Sequence, residues 1–143
     1  MESRCVNEGP EKTFVLVLDE DDEAMETLRV FAKTEKITAG RFTAIGAFRE
    51  VVVGYYEIEK RQYKKISFKE QLEVLSMMGD IAFKSDGPVV HAHVVLGRSD
   101  GTVRGGHLLE AYVRPTLEVM LVESPDYLQR TMDERSGLPL ISL

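Results

Sequence analysis

The sequence has almost no cysteine: one residue of 143, Cys5. A single thiol forms no internal disulfide, which excludes a disulfide-stapled secreted scaffold and agrees with a reducing, cytoplasmic setting. Cys5 is also poorly placed for catalysis, because it lies near a terminus that reads as loose and a nucleophilic thiol needs a fixed base. No stretch approaches the roughly 20 apolar residues that cross a bilayer, so no membrane is expected as a partner. The opening residues, Met1-Glu2-Ser3-Arg4-Cys5-Val6-Asn7-Glu8, lack the apolar run of a signal peptide. Positive charge is in deficit too. Eighteen Lys and Arg face 24 Asp and Glu, for a formal net charge of −6. That balance argues against indiscriminate nucleic-acid binding, in which cations must displace counterions from phosphates. The densest basic stretch, Lys60-Arg61-Gln62-Tyr63-Lys64-Lys65, has two readings, a nucleic-acid patch or a solvated hairpin face, and the second is the commoner.

What is present suffices for one domain over residues 1–143, with a core spanning about 13–124 and a C-terminal extension over 125–143. Hydrophobic residues make up 43% of the chain, enough to pack a core and too many for a disordered chain. Thr13 to Leu18 reads as a buried strand. The acidic run Asp19 to Glu23 then reads as a helix start, with Asp21 or Asp22 as cap. Met25, Leu28, Phe31 and Ala32 share one helical face, and the helix should stop before Ile37. Strands are expected over Arg41 to Phe48, Glu50 to Ile58 and Tyr63 to Phe68. Gly46 and Gly54 suggest bulges or close backbone contacts. Further strands are expected over Leu72 to Met78 and Ile81 to Phe83, with a bend at Gly79-Asp80. Val89 to Leu96 and Thr102 to Val113 follow, then a turn at Pro115 and a last strand over Leu117 to Val122. Asp126 to Arg135 reads as a short helix with Tyr127, Leu128 and Met132 partly buried. The apolar Leu138 to Leu143 returns to the body of the protein or meets a neighbouring subunit. One early helix and many short strands suggest an α+β (broadly α/β) fold, a mostly antiparallel sheet with one main helix packed on it.

Histidine is scarce but concentrated: His91, His93 and His107 are all there is. In a strand, residues two apart point to one face, so His91 and His93 share a face. A three-residue loop Ser99-Asp100-Gly101, with Gly101 left-handed, would pair Arg98 with Thr102 and hence His93 with His107. Directly opposed side chains lie about 4.5–5.5 Å apart at Cβ, so the three imidazoles would form a triangle. A two-residue Asp100-Gly101 turn would send His107 to the other face, and a bulge at Gly105-Gly106 would bring it back. Three convergent imidazoles suit Zn²⁺ and leave a fourth position for water or a ligand, although nickel, iron or copper accept the same donors.

The segments His91-Ala92-His93-Val94-Val95-Leu96-Gly97, Asp100-Gly101, Gly105-Gly106-His107-Leu108-Leu109 and Thr116-Leu117-Glu118-Val119 resemble prokaryotic members of the plants-and-prokaryotes conserved (PPC) domain family. Phe42 to Phe48, Gly54-Tyr55-Tyr56 and Glu73 to Gly79 extend the resemblance, which spans about Phe14 to Val122. It implies a largely antiparallel sheet with a packed helix, assembly into homotrimers, and a metal, usually zinc, at His91, His93 and His107. In plants the domain follows AT-hook segments that grip AT-rich DNA, hence a DNA-binding label. This sequence has no R-G-R-P core and no basic N-terminal arm, so DNA is not the expected partner.

Three functions follow: an oligomeric metal-binding domain that takes a small or anionic ligand, a metal-dependent hydrolase or lyase, or a DNA-associated regulator. An enzyme needs a group to carry protons beside the metal. The candidates are Glu118, Glu110, Glu73 and Asp80, with Arg41 or Arg114 to hold an anion. Glu118 leads because it lies inside the motif shared with the family. One of these acids could instead orient an imidazole from behind.

Overall fold

The computed structural model describes residues 1–7, 9, 11–124 and 128–142. Among them, nine strands join in one sheet and a single α-helix packs on it. The strands are β1 (Glu2–Asn7), β2 (Thr13–Leu18), β3 (Ala39–Glu57), β4 (Gln62–Phe68), β5 (Leu72–Lys84), β6 (Gly87–Gly97), β7 (Val103–Glu123), β8 (Gln129–Asp133) and β9 (Leu138–Ser142). The helix, α1, covers Ala24–Thr34. All long pairings are antiparallel, and the parallel one is the bridge of Phe83 to Gln129. The pairings β3–β5, β5–β6, β6–β7 and β7–β3 close a ring. The expected sheet with one helix is therefore correct.

The core fills the inner face of that ring. Phe48, Met77, Leu96, Leu108 and Leu117 are buried there, and Leu16 of β2 joins the same cluster. Helix α1 closes it with Ala24, Leu28, Phe31 and Ala32, the i, i+4, i+7, i+8 stripe of a surface helix. Phe31 meets Phe14 of β2 edge to face, with ring centroids 5.3 Å apart.

The helix cap differs from expectation. Neither Asp21 nor Asp22 serves; Glu23 does. Its carboxylate accepts from the Met25 and Glu26 amides at 3.3 and 2.6 Å, and also from the Ala111 amide of β7 at 2.9 Å. One side chain thus starts the helix and ties it to the sheet, while Asp21 sits at φ 72 in the turn before it. Glu23→Ala is expected to cost about 2 kcal/mol, the upper end for a lost cap, because a buried strand amide loses its acceptor too. Urea denaturation reads the loss; an unchanged midpoint would contradict it.

Several breaks expected from the sequence are absent. β3 runs through Arg49 as one strand because it changes partner midway, from β5 to β4, with register shifts on both sides of Gly46. β7 runs through Pro115: Arg114, Pro115 and Thr116 face the single Ala47 between the Gly46–Leu117 and Phe48–Val113 pairs. A bulge is where a strand tolerates a residue without an N–H. Gly79-Asp80 is no bend either, since β5 is continuous there. The segment read as a helix to Arg135 is instead strand β8, with Leu128 half-buried and Met132 exposed; Tyr127 lies outside the described residues. The terminus read as loose forms β1, and Cys5 packs against the core.

The β8–β9 hairpin lies against the outer face of the ring. The Phe83 amide donates to the Leu128 carbonyl at 2.8 Å, and Tyr56 Oη donates to the Ser136 carbonyl at 2.7 Å. Arg61 Nη2 donates to the Glu134 carbonyl at 2.8 Å. Of the basic stretch, then, Arg61 braces this hairpin and Lys60 pairs with Glu57. Among the described residues no helix is long and apolar enough to cross a membrane.

Candidate metal centre

The β6–β7 turn sets the site. The Gly101 amide donates to the Arg98 carbonyl and the Arg98 amide to the Thr102 carbonyl, both at 2.9 Å. Gly101 is left-handed at φ 78, a conformation that favours glycine. Asp100 fixes the turn by accepting from the Thr102 amide at 2.9 Å and the Thr102 hydroxyl at 2.6 Å. Three residues in the loop give the register Gly97 to Val103 and, farther out, His93 to His107.

His91 and His93 alternate with buried Ala92 and Val94, so the imidazoles stand on the outer face of the ring. Ring centroids lie 5.1 Å apart for His91 and His93, 4.9 Å for His91 and His107, and 5.4 Å for His93 and His107. One nitrogen from each ring lies within 4.8 Å of the others. A tetrahedral ion holding nitrogens at 2.0–2.1 Å would set them about 3.4 Å apart. Closing to that spacing would take rotation of the rings, and the donor set fits a borderline metal such as zinc.

Neighbours hold the rings in place. Asp80 sits opposite His91 across β5–β6, and its Oδ2 lies 3.2 Å from His91 Nδ1. With Nδ1–H donated to the carboxylate, Nε2 is the nitrogen left for a ligand bond, the arrangement common behind metal-bound histidine. Asp80 is held in turn by Arg130 of β8, whose Nη2 donates to Oδ1, while Arg130 Nη1 donates to the Pro139 carbonyl at 2.9 Å. On the other flank, the Tyr63 ring stacks on His107 with centroids 4.7 Å apart.

Electrostatics favour neutral rings. Burial, followed by the neighbouring His91, His93 and Arg130, lowers the His107 pKa to about 4, and burial and His91 lower that of His93. Metal ions bind neutral imidazole, so neither ring needs to shed a proton at neutral pH. Burial works against the Asp80 carboxylate, but hydrogen bonds from His91 and Arg130 outweigh it and keep its pKa below the usual value.

A stability profile follows. An unfolded chain protonates its histidines near pH 6.5, whereas folded His107 resists to about 4. Between those values the unfolded state binds more protons, so stability falls as the pH drops through that window, with no such loss above it. His93 adds in the same sense, and Asp80 adds a further loss only below the ordinary carboxylate range. Urea titration of metal-free protein at about pH 7.5 and about pH 5 is expected to give the lower midpoint at the acid value; equal midpoints would contradict this.

The other candidates from the sequence are elsewhere. Glu118 is exposed in the far half of β7, paired with Val17 and Ile45, whereas His107 pairs with Gly54 near the opposite end of the β3–β7 ladder. Glu110 lines a separate cleft with Arg49, Lys69 and Tyr112. Glu73 is exposed and faces Gly97, and Arg114 pairs with Glu20 at 3.3 Å. Arg41 is exposed beside Asp80 on β3, one strand away from His91. Of the acids, Asp80 alone is brought to the imidazoles. Sequence reasoning missed Tyr63 and Arg130; alternation in β4 hinted at the first, and nothing local marked the second.

The model of the plants-and-prokaryotes conserved domain matches residues 6–125. Three crystal structures are similar along nearly their whole length. A metal-containing protein from Archaeoglobus fulgidus is 36% identical with a TM-score of 0.86, covering 99% of this chain and 97% of that one. A plant- and prokaryote-conserved protein from Pyrococcus horikoshii is 33% identical with a TM-score of 0.87, covering 92% and 91%. A candidate DNA-binding protein from Ralstonia eutropha is 27% identical with a TM-score of 0.86, covering 91% and 90%. No curated protein sequence matches the chain.

Proposed function

The chain belongs to the plants-and-prokaryotes conserved domain family, and on that premise we propose that it binds one divalent metal ion through His91, His93 and His107 and uses the open coordination position to take up a small ligand. Zinc is the ion of choice, because three imidazoles and an open position match its preferred chemistry. The carrying observation is the convergence of three imidazole nitrogens within 4.8 Å, with Asp80 behind one ring. The metal-containing relative from Archaeoglobus fulgidus supports it. When bound, such an ion acts as a Lewis acid toward an oxygen ligand. This chain's own residues hold and orient: Asp80 fixes the His91 tautomer, and Tyr63 covers His107.

Binding is favoured over turnover because Glu118 and Glu110, the acids first in line to move a proton, stand away from the imidazoles. The DNA reading has the Ralstonia eutropha relative in its favour and the net charge of −6 against it. We also assign the protein a cytoplasmic homotrimer. Exposed Ile45, Leu75, Met78, Val95, Val103 and Met120 support association through the outer face. Elemental analysis of protein purified without added metal tests the central reading: about one transition-metal ion per chain is expected, and none would sink it. Sedimentation velocity tests assembly, with a lone monomer as the contrary result.

A further inference from the structure

Building on the metal reading, we propose that the cavity beside the histidines binds a small organic carboxylate with a short apolar body, its carboxylate received by Arg130. The cavity measures about 260 Å³ and lies between His91 and His107 on one side and Val90, Leu138 and Pro139 on the other. That is smaller than the roughly 300–1,000 Å³ of pockets for drug-sized ligands, so it suits a molecule of a few carbon atoms.

Arg130 lines the same cavity, and its side chain is only 7% exposed. Nη2 is taken by Asp80 and Nη1 by the Pro139 carbonyl. Nε is buried and has no hydrogen-bond partner among the described residues. A buried donor without an acceptor is costly, and a small shift of the guanidinium that opens Nε to a ligand oxygen in the cavity would satisfy it.

Charge gives the class of ligand. Asp80 balances Arg130, so a divalent ion on three neutral imidazoles would leave the cavity with uncompensated positive charge, which calls for an anion. A guanidinium receives a carboxylate well. A phosphate would leave further charged oxygens against Val90 and Leu138, whereas a short hydrocarbon body fits those walls. Arg130 and Leu138 both lie beyond residue 125, where the family match ends. The carboxylate selectivity would rest on the β8–β9 hairpin, which supplies both residues.

The test uses the full-length protein loaded with cobalt(II), whose visible bands report the metal's ligands. Cobalt uptake is read first. Failure there overturns the metal reading and this proposal with it; uptake isolates the second question. Butyrate, butanol and butylamine are then titrated calorimetrically. Butyrate is expected to bind at least about tenfold tighter than either neutral or cationic analogue, and Arg130→Gln to weaken it by about tenfold or more with cobalt retained. Because Arg130 also braces the hairpin, Leu138→Trp serves as a second variant: it fills the cavity and leaves Arg130 in place. Butyrate binding is expected to vanish there while azide still shifts the cobalt bands. Butyrate binding no better than butanol, or undiminished in Leu138→Trp, overturns the proposal.

Discussion

His107→Ala is expected to lose the metal while keeping the fold. The ring stands on the outer face of the sheet, half-buried against Tyr63 rather than packed in the core. Its loss leaves two imidazoles on neighbouring positions of one strand, His91 and His93, which cannot enclose an ion from two sides. Replacement of groups that merely orient a ligand typically costs 10–100-fold in metal affinity, so removal of one of three ligands should cost roughly 100-fold or more. Dialysed variant protein should carry less than about one-tenth of the wild-type metal, with far-ultraviolet circular dichroism unchanged. Wild-type metal content in both His107→Ala and His93→Ala would place the ion elsewhere.

Gly79→Ala is expected to produce a large loss of stability from a single methyl group. A Cβ at this position would lie 2.3 Å from the His91 carbonyl oxygen and 2.3 Å from Phe42 Cζ. Neither is free to yield. The carbonyl belongs to the β5–β6 ladder, and Phe42 is a buried core ring. Opening a strand pair and displacing a core ring together should cost about 3 kcal/mol, the upper end for overpacking. The melting temperature would drop by roughly 10 °C. Metal affinity should fall with it, since Asp80 and His91 are the next pair in the same ladder. A melting temperature within about 2 °C of wild type would refute the close approach.

Gly79 also illustrates what a single sequence hides. From the residues alone it signals a bend; in three dimensions it is the point where a core ring and a neighbouring strand press on the backbone. Alternation and composition identify strands but do not reveal a strand that outlives its partner, so β3 and β7 each read as two. Glu23 was overlooked as a cap because its second job, accepting from Ala111, depends on a strand far along the chain. The histidine cluster was far more legible. Two rings on one strand follow from a period of two, and the third follows from counting outward from a three-residue turn. Local geometry carried the first ring pair and favoured the third, and the structure selects the three-residue turn over the two-residue one. Arg130 was not legible, because β8 meets the site through tertiary docking, and its own segment shows no period that marks it as a strand.

X-ray absorption at the edge of any metal that purifies with the protein tests the proposed centre most directly. The expected spectrum shows three imidazole nitrogens and a light atom at about 2.0–2.1 Å, with outer-shell scattering from three rings. A sulfur scatterer, or fewer than three imidazoles around a fully occupied ion, would contradict the assignment of His91, His93 and His107 as its ligands.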